Sequence, residues 1–258
     1  MKQRLDLLLH QRGLAPSREK ARAMIMAGEV LVNGQVVDKP GAQVNTEADV
    51  SVQSKPRFVS RGGEKLAWAL ETFPVSPAGR VCADVGASTG GFTDCLLQYG
   101  AARVYALDVG YGQLAYSLRQ DPRVVVMERT NARYVETLPE PVSLVVVDAS
   151  FISLKLLLPV IKGWLTPEAD VITLVKPQFE AGKQDVGKGG VVKDRRVHER
   201  VLEDVLLFAR GQGFVVAGLT TSPVKGPAGN IEFLAWFSWG QAAQSEDIST
   251  LIQVVIRP

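Results

Sequence analysis

A chain of 258 residues, 46% hydrophobic and 22% charged, fits one or two globular domains with a sizeable core. Its two cysteines, Cys82 and Cys95, are too few for a disulfide framework and lack the CxxC or His spacing of a metal site, so both read as small buried hydrophobes in a reducing, cytoplasmic setting. The formal charge of +2 is uneven: residues 1 to 60 hold nine Lys and Arg against six Asp and Glu, an excess that suits phosphate attraction or, equally, a solvated helix face.

Met1 to Asp6 has no long apolar stretch after its positive charges, which argues against a secretory signal peptide. Leu5, Leu8 and Leu9 have helical spacing and Gly13 is a natural stop. Ser17 then caps a second helix that turns Ala21, Met24 and Ile25 inward and ends at Gly28. Val30-Leu31-Val32, Asn33-Gly34 and Val36-Val37 form a hairpin, because Asn-Gly adopts the positive backbone angles of a tight turn. Arg12, Arg18, Lys20 and Arg22 cluster on and around the second helix, where they would face a phosphate backbone without base-reading geometry.

Arg4-Leu5-Asp6, Ser17-Arg18-Glu19-Lys20-Ala21 and Ile25 to Gly34 together resemble an S4 domain, a family that binds structured RNA. The resemblance implies RNA contacts from this region, Arg4 included; by itself it licenses binding and not chemistry. Gln53 to Val59 reads as a linker, with Pro56 disfavouring a continuing element and with Arg57 and Phe58 either packing on the next domain or contacting RNA. The expected domains are therefore 1–59 and 60–258.

After a helix near Gly63 to Phe73, apolar segments alternate with helices: Val81 to Val85, Val104 to Leu107, Val124 to Met127, Leu144 to Val147 and Val171 to Val175. This alternation predicts an α/β fold with a parallel sheet. The most apolar window, Val142 to Ile161, is interrupted by Asp148 and Lys155, so it suits a buried strand and not a membrane span. Phe214 to Leu219 and Ile231 to Trp239 flank the Gly- and Pro-containing loop Thr220 to Asn230 without room for a crossover helix, so they should pair antiparallel. A mostly parallel sheet with an antiparallel last strand is the plan of a Rossmann-like methyltransferase, and edge reversals occur in other α/β enzymes too.

The first strand runs into Asp84-Val85-Gly86-Ala87-Ser88-Thr89-Gly90-Gly91-Phe92-Thr93, a small-residue turn that admits a ligand to backbone amides at a helix start. No Gly-Lys-Ser/Thr follows and GxGxxG is absent, which counts against a phosphate loop and a dinucleotide site. Asp84, Gly86, Ser88, Gly90 and Phe92 are its candidate cofactor contacts. Asp108 ends the second strand about 20 residues on, where a carboxylate can accept from ribose hydroxyls. Four further residues are charged where burial is expected: Lys65, Asp148, Lys176 and Glu232. Singly each would be a surface or paired structural group; several strand ends converging at the switch point of an open sheet favour a site.

Together with the glycine turn, Ser60 to Leu66, Val147-Asp148-Ala149-Ser150-Phe151, Leu174 to Phe179 and Asn230-Ile231-Glu232-Phe233 resemble the Lys-Asp-Lys-Glu tetrad of the FtsJ-like ribose 2′-O-methyltransferases. With the S4 module in front, the closest resemblance is to the TlyA family, also called haemolysin-like, whose members are similar to ribosomal RNA cytidine 2′-O-methyltransferases. It implies S-adenosylmethionine as cofactor, ribosomal RNA or ribosomal subunits as partner, and no requirement for metal. It further implies Asn131 as an adenine contact, although a turn-forming asparagine is as natural a reading. Ser88 stands where many methyltransferases have Gly. In the implied reaction Lys176 assists deprotonation of a 2′-hydroxyl or stabilises its oxyanion, Lys65 adds positive charge, and Asp148 and Glu232 orient the lysines, Asp148 also lying near the sulfonium.

Three alternatives remain: a nonenzymatic RNA-binding or ribosome-assembly factor, against which the intact tetrad argues; base methylation, for which no amino-group site or cysteine nucleophile is evident; and a membrane-lytic haemolysin, for which no apolar or amphipathic membrane-binding helix is evident. His10 and His198 fall in helices with charged neighbours, where solvated structural roles are expected. Gly182 to Gly190 reads as a basic loop beside the site, either closing over RNA or an ordinary surface segment.

Overall fold

The computed structural model describes residues 1–52, 56–240 and 246–256; Gln53, Ser54 and Lys55 of the expected linker lie outside them. The chain forms two compact units, Met1–Pro56 and Arg57–Pro258. The division falls three residues before the expected one, because Phe58 is buried in the core of the second unit and Arg57 donates to Tyr99 Oη at 3.0 Å there.

The first unit begins with β1 (Lys2–Arg4), α1 (Leu5–Gln11) and α2 (Arg18–Met26). Ser17 caps α2 by accepting from Lys20 N at 3.1 Å, and Leu5, Leu8, Leu9, Ala21 and Ile25 form its core. The hairpin pairs β2 (Val30–Val32) with β3 (Gln35–Val36) around Asn33 (φ 50) and Gly34 (φ 77), the left-handed pair that a two-residue turn demands. Sequence patterning missed β1, β4 (Gln43–Asn45) and β5 (Val50–Val52), which are three residues each. β4 pairs with β1, and β5 with β2.

The second unit opens with α3 (Gly62–Thr72), then β6 (Val81–Val85), α4 (Gly91–Gln98), β7 (Arg103–Leu107), α5 (Tyr116–Arg119) and β8 (Val124–Met127). It continues through β9 (Val142–Val147), α6 (Leu154–Ile161), β10 (Leu165–Val175), α7 (Pro177–Glu180), α8 (Arg195–Gly211), β11 (Val215–Thr221), β12 (Phe233–Trp239) and α9 (Ile248–Ile256). The seven strands lie in the order β11-β12-β10-β9-β6-β7-β8. β12 runs antiparallel to both neighbours, so it is the single reversed strand, and β6 to β10 are mutually parallel as expected.

Alternate residues of the central strands feed two cores. Val145, Val147, Val171 and Val175 pack with α6, α8 and α9; Leu144, Val146, Ile172 and Leu174 pack with α3 and α4. Burial on both faces explains why these strands read as unbroken apolar runs. Cys82 and Cys95 are free and buried, as expected. His198 corrects the solvated expectation: it is 3% exposed, its Nε2 lies 3.0 Å from Val192 O, and its ring meets Phe233 edge-on. Its neighbours in sequence are charged, but a helix turns every third or fourth residue inward and His198 is on that face of α8.

Candidate functional site

The parallel strands end together, and the loops that follow them surround two adjoining cavities. The larger, about 680 Å³, is lined from the β6 loop by Gly86 and Ser88, from the end of β7 by Asp108, and by Asn131, Asp148, Ser150 and Phe151. The smaller, about 280 Å³, is lined by Lys65, Gly86, Ser88, Phe92, Asp148, Ser150, Lys176 and Glu232, among others. Gly86, Ser88, Asp148 and Ser150 border both, so a group held in one can reach the other.

The β6 loop is shaped by close approach. Gly86 has φ 85, and a Cβ on it would stand 2.8 Å from Asp148 O, which only glycine tolerates. Ser88 also adopts a left-handed backbone, φ 49, which accounts for the glycine many related turns use there. Asp108 organises the loop: Oδ2 accepts from Ser88 N and Oδ1 from Gly110 N, each at 2.7 Å. Each oxygen keeps a further lone pair for a ligand hydroxyl. Asn131 Oδ1 accepts from Arg133 N at 3.1 Å, so the turn-forming role is realised, while the residue also lines the larger cavity.

Asp84 and Gly90 line neither cavity. Asp84 is fully buried beneath the loop, where Thr93 Oγ1 donates to its Oδ2 at 2.6 Å. Burial pushes its carboxyl up to about 7, with the Thr93 hydrogen bond opposing. Gly90 admits the side chains of Leu114 and Leu118, which a Cβ would meet at 2.8 and 2.2 Å.

The four charged residues form two ion pairs. Lys65 Nζ meets Glu232 Oε2 at 2.6 Å, with side chains 9% and 1% exposed. Lys176 Nζ lies 2.7 Å from Asp148 Oδ1, close enough for an ion pair but without hydrogen-bond alignment, and donates to Ser150 Oγ at 2.9 Å and Asp148 O at 3.3 Å. The ladder explains the convergence: Asp148 follows β9, Lys176 follows its neighbour β10, and Glu232 immediately precedes β12 on the far side of β10. Lys65 is delivered by α3, whose start is seated on Phe58: a Cβ at Gly63 would stand 2.2 Å from that ring. Ser150 and Gln178 touch these pairs and were missed by sequence reasoning; both sit in motifs singled out for a charged neighbour.

The basic loop Gly182 to Gly190 lines neither cavity; Asn230 holds it by donating to Gly190 O at 2.9 Å. Phe151, 90% exposed with φ 62, stacks beside Phe179 at 4.9 Å on the wall of the larger cavity. Arg57 stays on the second unit, beside Glu71 at 3.7 Å and over the rings of Phe58 and Tyr99.

In the first unit Asp6 is fully buried and gathers two of the expected RNA contacts, Arg4 Nε at 3.0 Å and Arg18 Nε at 3.1 Å. The Arg4 guanidinium outweighs burial and holds the Asp6 carboxyl at about 2. Arg12 is committed to the backbone, donating to Ala48 O at 2.9 Å and Thr46 O at 2.6 Å. Lys20 and Arg22 are exposed and make no ion pair among the described residues.

A single reversed strand in an otherwise parallel sheet, with a glycine turn and two Lys–carboxylate pairs at the strand ends, defines the Rossmann-like methyltransferase class. Comparison with known proteins agrees. Residues 58–239 match the FtsJ-like methyltransferase family and residues 3–50 the S4 domain. The chain is 50% identical to the 16S/23S rRNA (cytidine-2′-O)-methyltransferase TlyA of Mycobacterium tuberculosis, over 90% of this chain and 88% of that protein. It is 44% identical to hemolysin A of Brachyspira hyodysenteriae, over 91% and 99%. A solved structure from Streptococcus thermophilus, carrying a hemolysin designation, matches at TM-score 0.75 and 45% identity over 99% of this chain and 94% of that one. The chain belongs to the TlyA family of FtsJ-like methyltransferases. No helix among the described residues is long and apolar enough to cross a membrane.

Proposed function

We propose that this protein transfers a methyl group from S-adenosylmethionine to a ribose 2′-hydroxyl of ribosomal RNA, with cytidine as the acceptor nucleoside, acting on rRNA or ribosomal subunits in the cytoplasm. The observation that carries the reading is the convergence of the two Lys–carboxylate pairs on a small cavity that shares Gly86, Ser88, Asp148 and Ser150 with a larger one.

The larger cavity suits the cofactor: Asp108 offers carboxylate lone pairs to ribose hydroxyls, Asn131 an amide to an adenine edge, and Gly86 a backbone that a ligand can approach without side-chain obstruction. When bound, the cofactor supplies an electrophilic methyl on a positive sulfur. Asp148, on the border of the two cavities, would offset that positive charge.

The smaller cavity would receive the acceptor ribose. Lys176 and Lys65 both face it, and their positive charge favours a 2′-oxygen that is losing its proton. Asp148 and Glu232 hold the two ammonium groups in place, so that much of the rate comes from alignment. The S4 unit would add sequence-independent affinity through Lys20, Arg22 and the outward edges of Arg4 and Arg18.

The test is transfer of radiolabelled methyl from S-adenosylmethionine to separated ribosomal subunits and free rRNA, with label located on ribose or base. Label on ribose cytidine that vanishes in Lys176→Ala supports the reading. Label on a base, or no transfer to any ribosomal substrate, overturns it.

A further inference from the structure

Glu232 is 1% exposed, and a carboxylate withdrawn from water needs donors on both oxygens. Lys65 Nζ serves Oε2 at 2.6 Å, and Gln178 Nε2 serves Oε1 at 3.1 Å. The amide nitrogen must be the end that faces Glu232, because a carboxylate only accepts and the nitrogen is the side-chain donor of glutamine. Gln178 Oε1 is thereby left buried without a partner among the described residues, an unfavourable placement that the contact with Glu232 must offset. The backbone crowds the same spot: a Cβ at Gly226 would stand 2.6 Å from Glu232 Oε1. Gln178 also follows Lys176 by two residues, in the turn that opens α7. One short segment thus carries the lysine of one ion pair and the clamp on the other.

We propose that Gln178 is a positioning residue for methyl transfer: its amide fixes the Glu232 carboxylate and, through it, the direction in which Lys65 Nζ meets the acceptor ribose. The Lys65 ammonium makes no hydrogen bond besides that to Glu232 among the described residues, so its remaining donors are available to the cavity it lines. The proposal rests on the methyl-transfer reading and goes beyond it in assigning a role to an uncharged residue that lines neither cavity.

Two readouts test it. In protein labelled at lysine, the Lys65 side-chain NMR signal, assigned by its loss in Lys65→Arg, moves in Gln178→Ala; an unmoved signal overturns the proposal whatever the protein methylates. In methyl transfer to rRNA, Gln178→Ala lowers kcat about tenfold, the size expected for a hydrogen bond to a charged group, and leaves KM for S-adenosylmethionine within about twofold. Gln178→Glu keeps the shape but sets acceptor against acceptor, and loses more than Gln178→Ala. A wild-type kcat in Gln178→Ala, or a loss confined to KM, overturns the proposal. Adding Gln178→Ala to Glu232→Ala costs nothing further, since the amide acts through that carboxylate; an additive loss is the signature of an unrelated structural role. A wild type that methylates no ribosomal RNA breaks the functional reading alone, and the NMR readout then decides the role of Gln178.

Discussion

Both units bury a carboxylate against basic side chains, and they do so differently. In the first, Asp6 is fully buried while its partners Arg4 and Arg18 remain 42% and 48% exposed. In the second, Lys65 and Glu232 are 9% and 1% exposed and both are withdrawn from water. A guanidinium has donors on two edges, so Arg4 and Arg18 can hold Asp6 and still present positive charge outward. A desolvated Lys–Glu pair is open only toward the cavity it lines. The same charge chemistry leaves positive charge facing solvent in one unit and withdraws both partners from it in the other.

The largest expected effect breaks the buried pair. Lys65→Met strands the Glu232 carboxylate and should cost the second unit about 3–5 kcal/mol in denaturant unfolding, with loss of methyl transfer. A cost near that of a surface substitution would mean that the pair is solvated in solution. Next is Gly63→Ala, whose Cβ would overlap the Phe58 ring at 2.2 Å. Overpacking of this kind costs about 1–3 kcal/mol, and because it displaces the start of α3 it should lower kcat as well as stability.

The first unit gives smaller effects and a pH signature. Asp6→Asn weakens the contacts to Arg4 and Arg18 and should cost about 1–3 kcal/mol, read by hydrogen exchange of α1 and α2 in the full chain. The carboxyl is held at about 2 in the folded protein against an ordinary 3.8, so its contribution is present above 3.8 and is lost as pH falls toward 2. Asp6→Asn should flatten that acid limb, and an unchanged limb would assign the acid sensitivity to other groups. The smallest stability effect is expected at Lys20 and Arg22: alanine at either should change stability by no more than about 0.5 kcal/mol. Each should nonetheless reduce the salt slope of RNA binding by about one. Arg12→Ala makes the contrast, because it releases the carbonyls of Ala48 and Thr46 and should destabilise the unit.

Legibility followed the range of the interactions. The Asn33-Gly34 turn, the Ser17 cap and the apolar strands were readable because neighbours in sequence impose them. The three-residue strands β1, β4 and β5 were not, since nothing so short carries a periodic pattern and each is held by a distant partner. His198 misled because its charged neighbours lie on other faces of α8. In the site, the charged members were conspicuous by standing where apolar residues were expected, whereas Ser150 and Gln178 are polar residues of ordinary kind whose role exists only through what they touch.

By itself, then, the sequence determined the two-unit plan, the alternating α/β order, the glycine turn and the identity of four charged residues, three beside strand ends and Lys65 on α3. Only the tertiary structure decided how they pair: Lys65 takes Glu232, 167 positions away, and Lys176 takes Asp148. The reason is physical. Local backbone preference and hydrophobic periodicity act over a few residues, whereas the partner of a buried charge is chosen by which strand ends the sheet sets side by side.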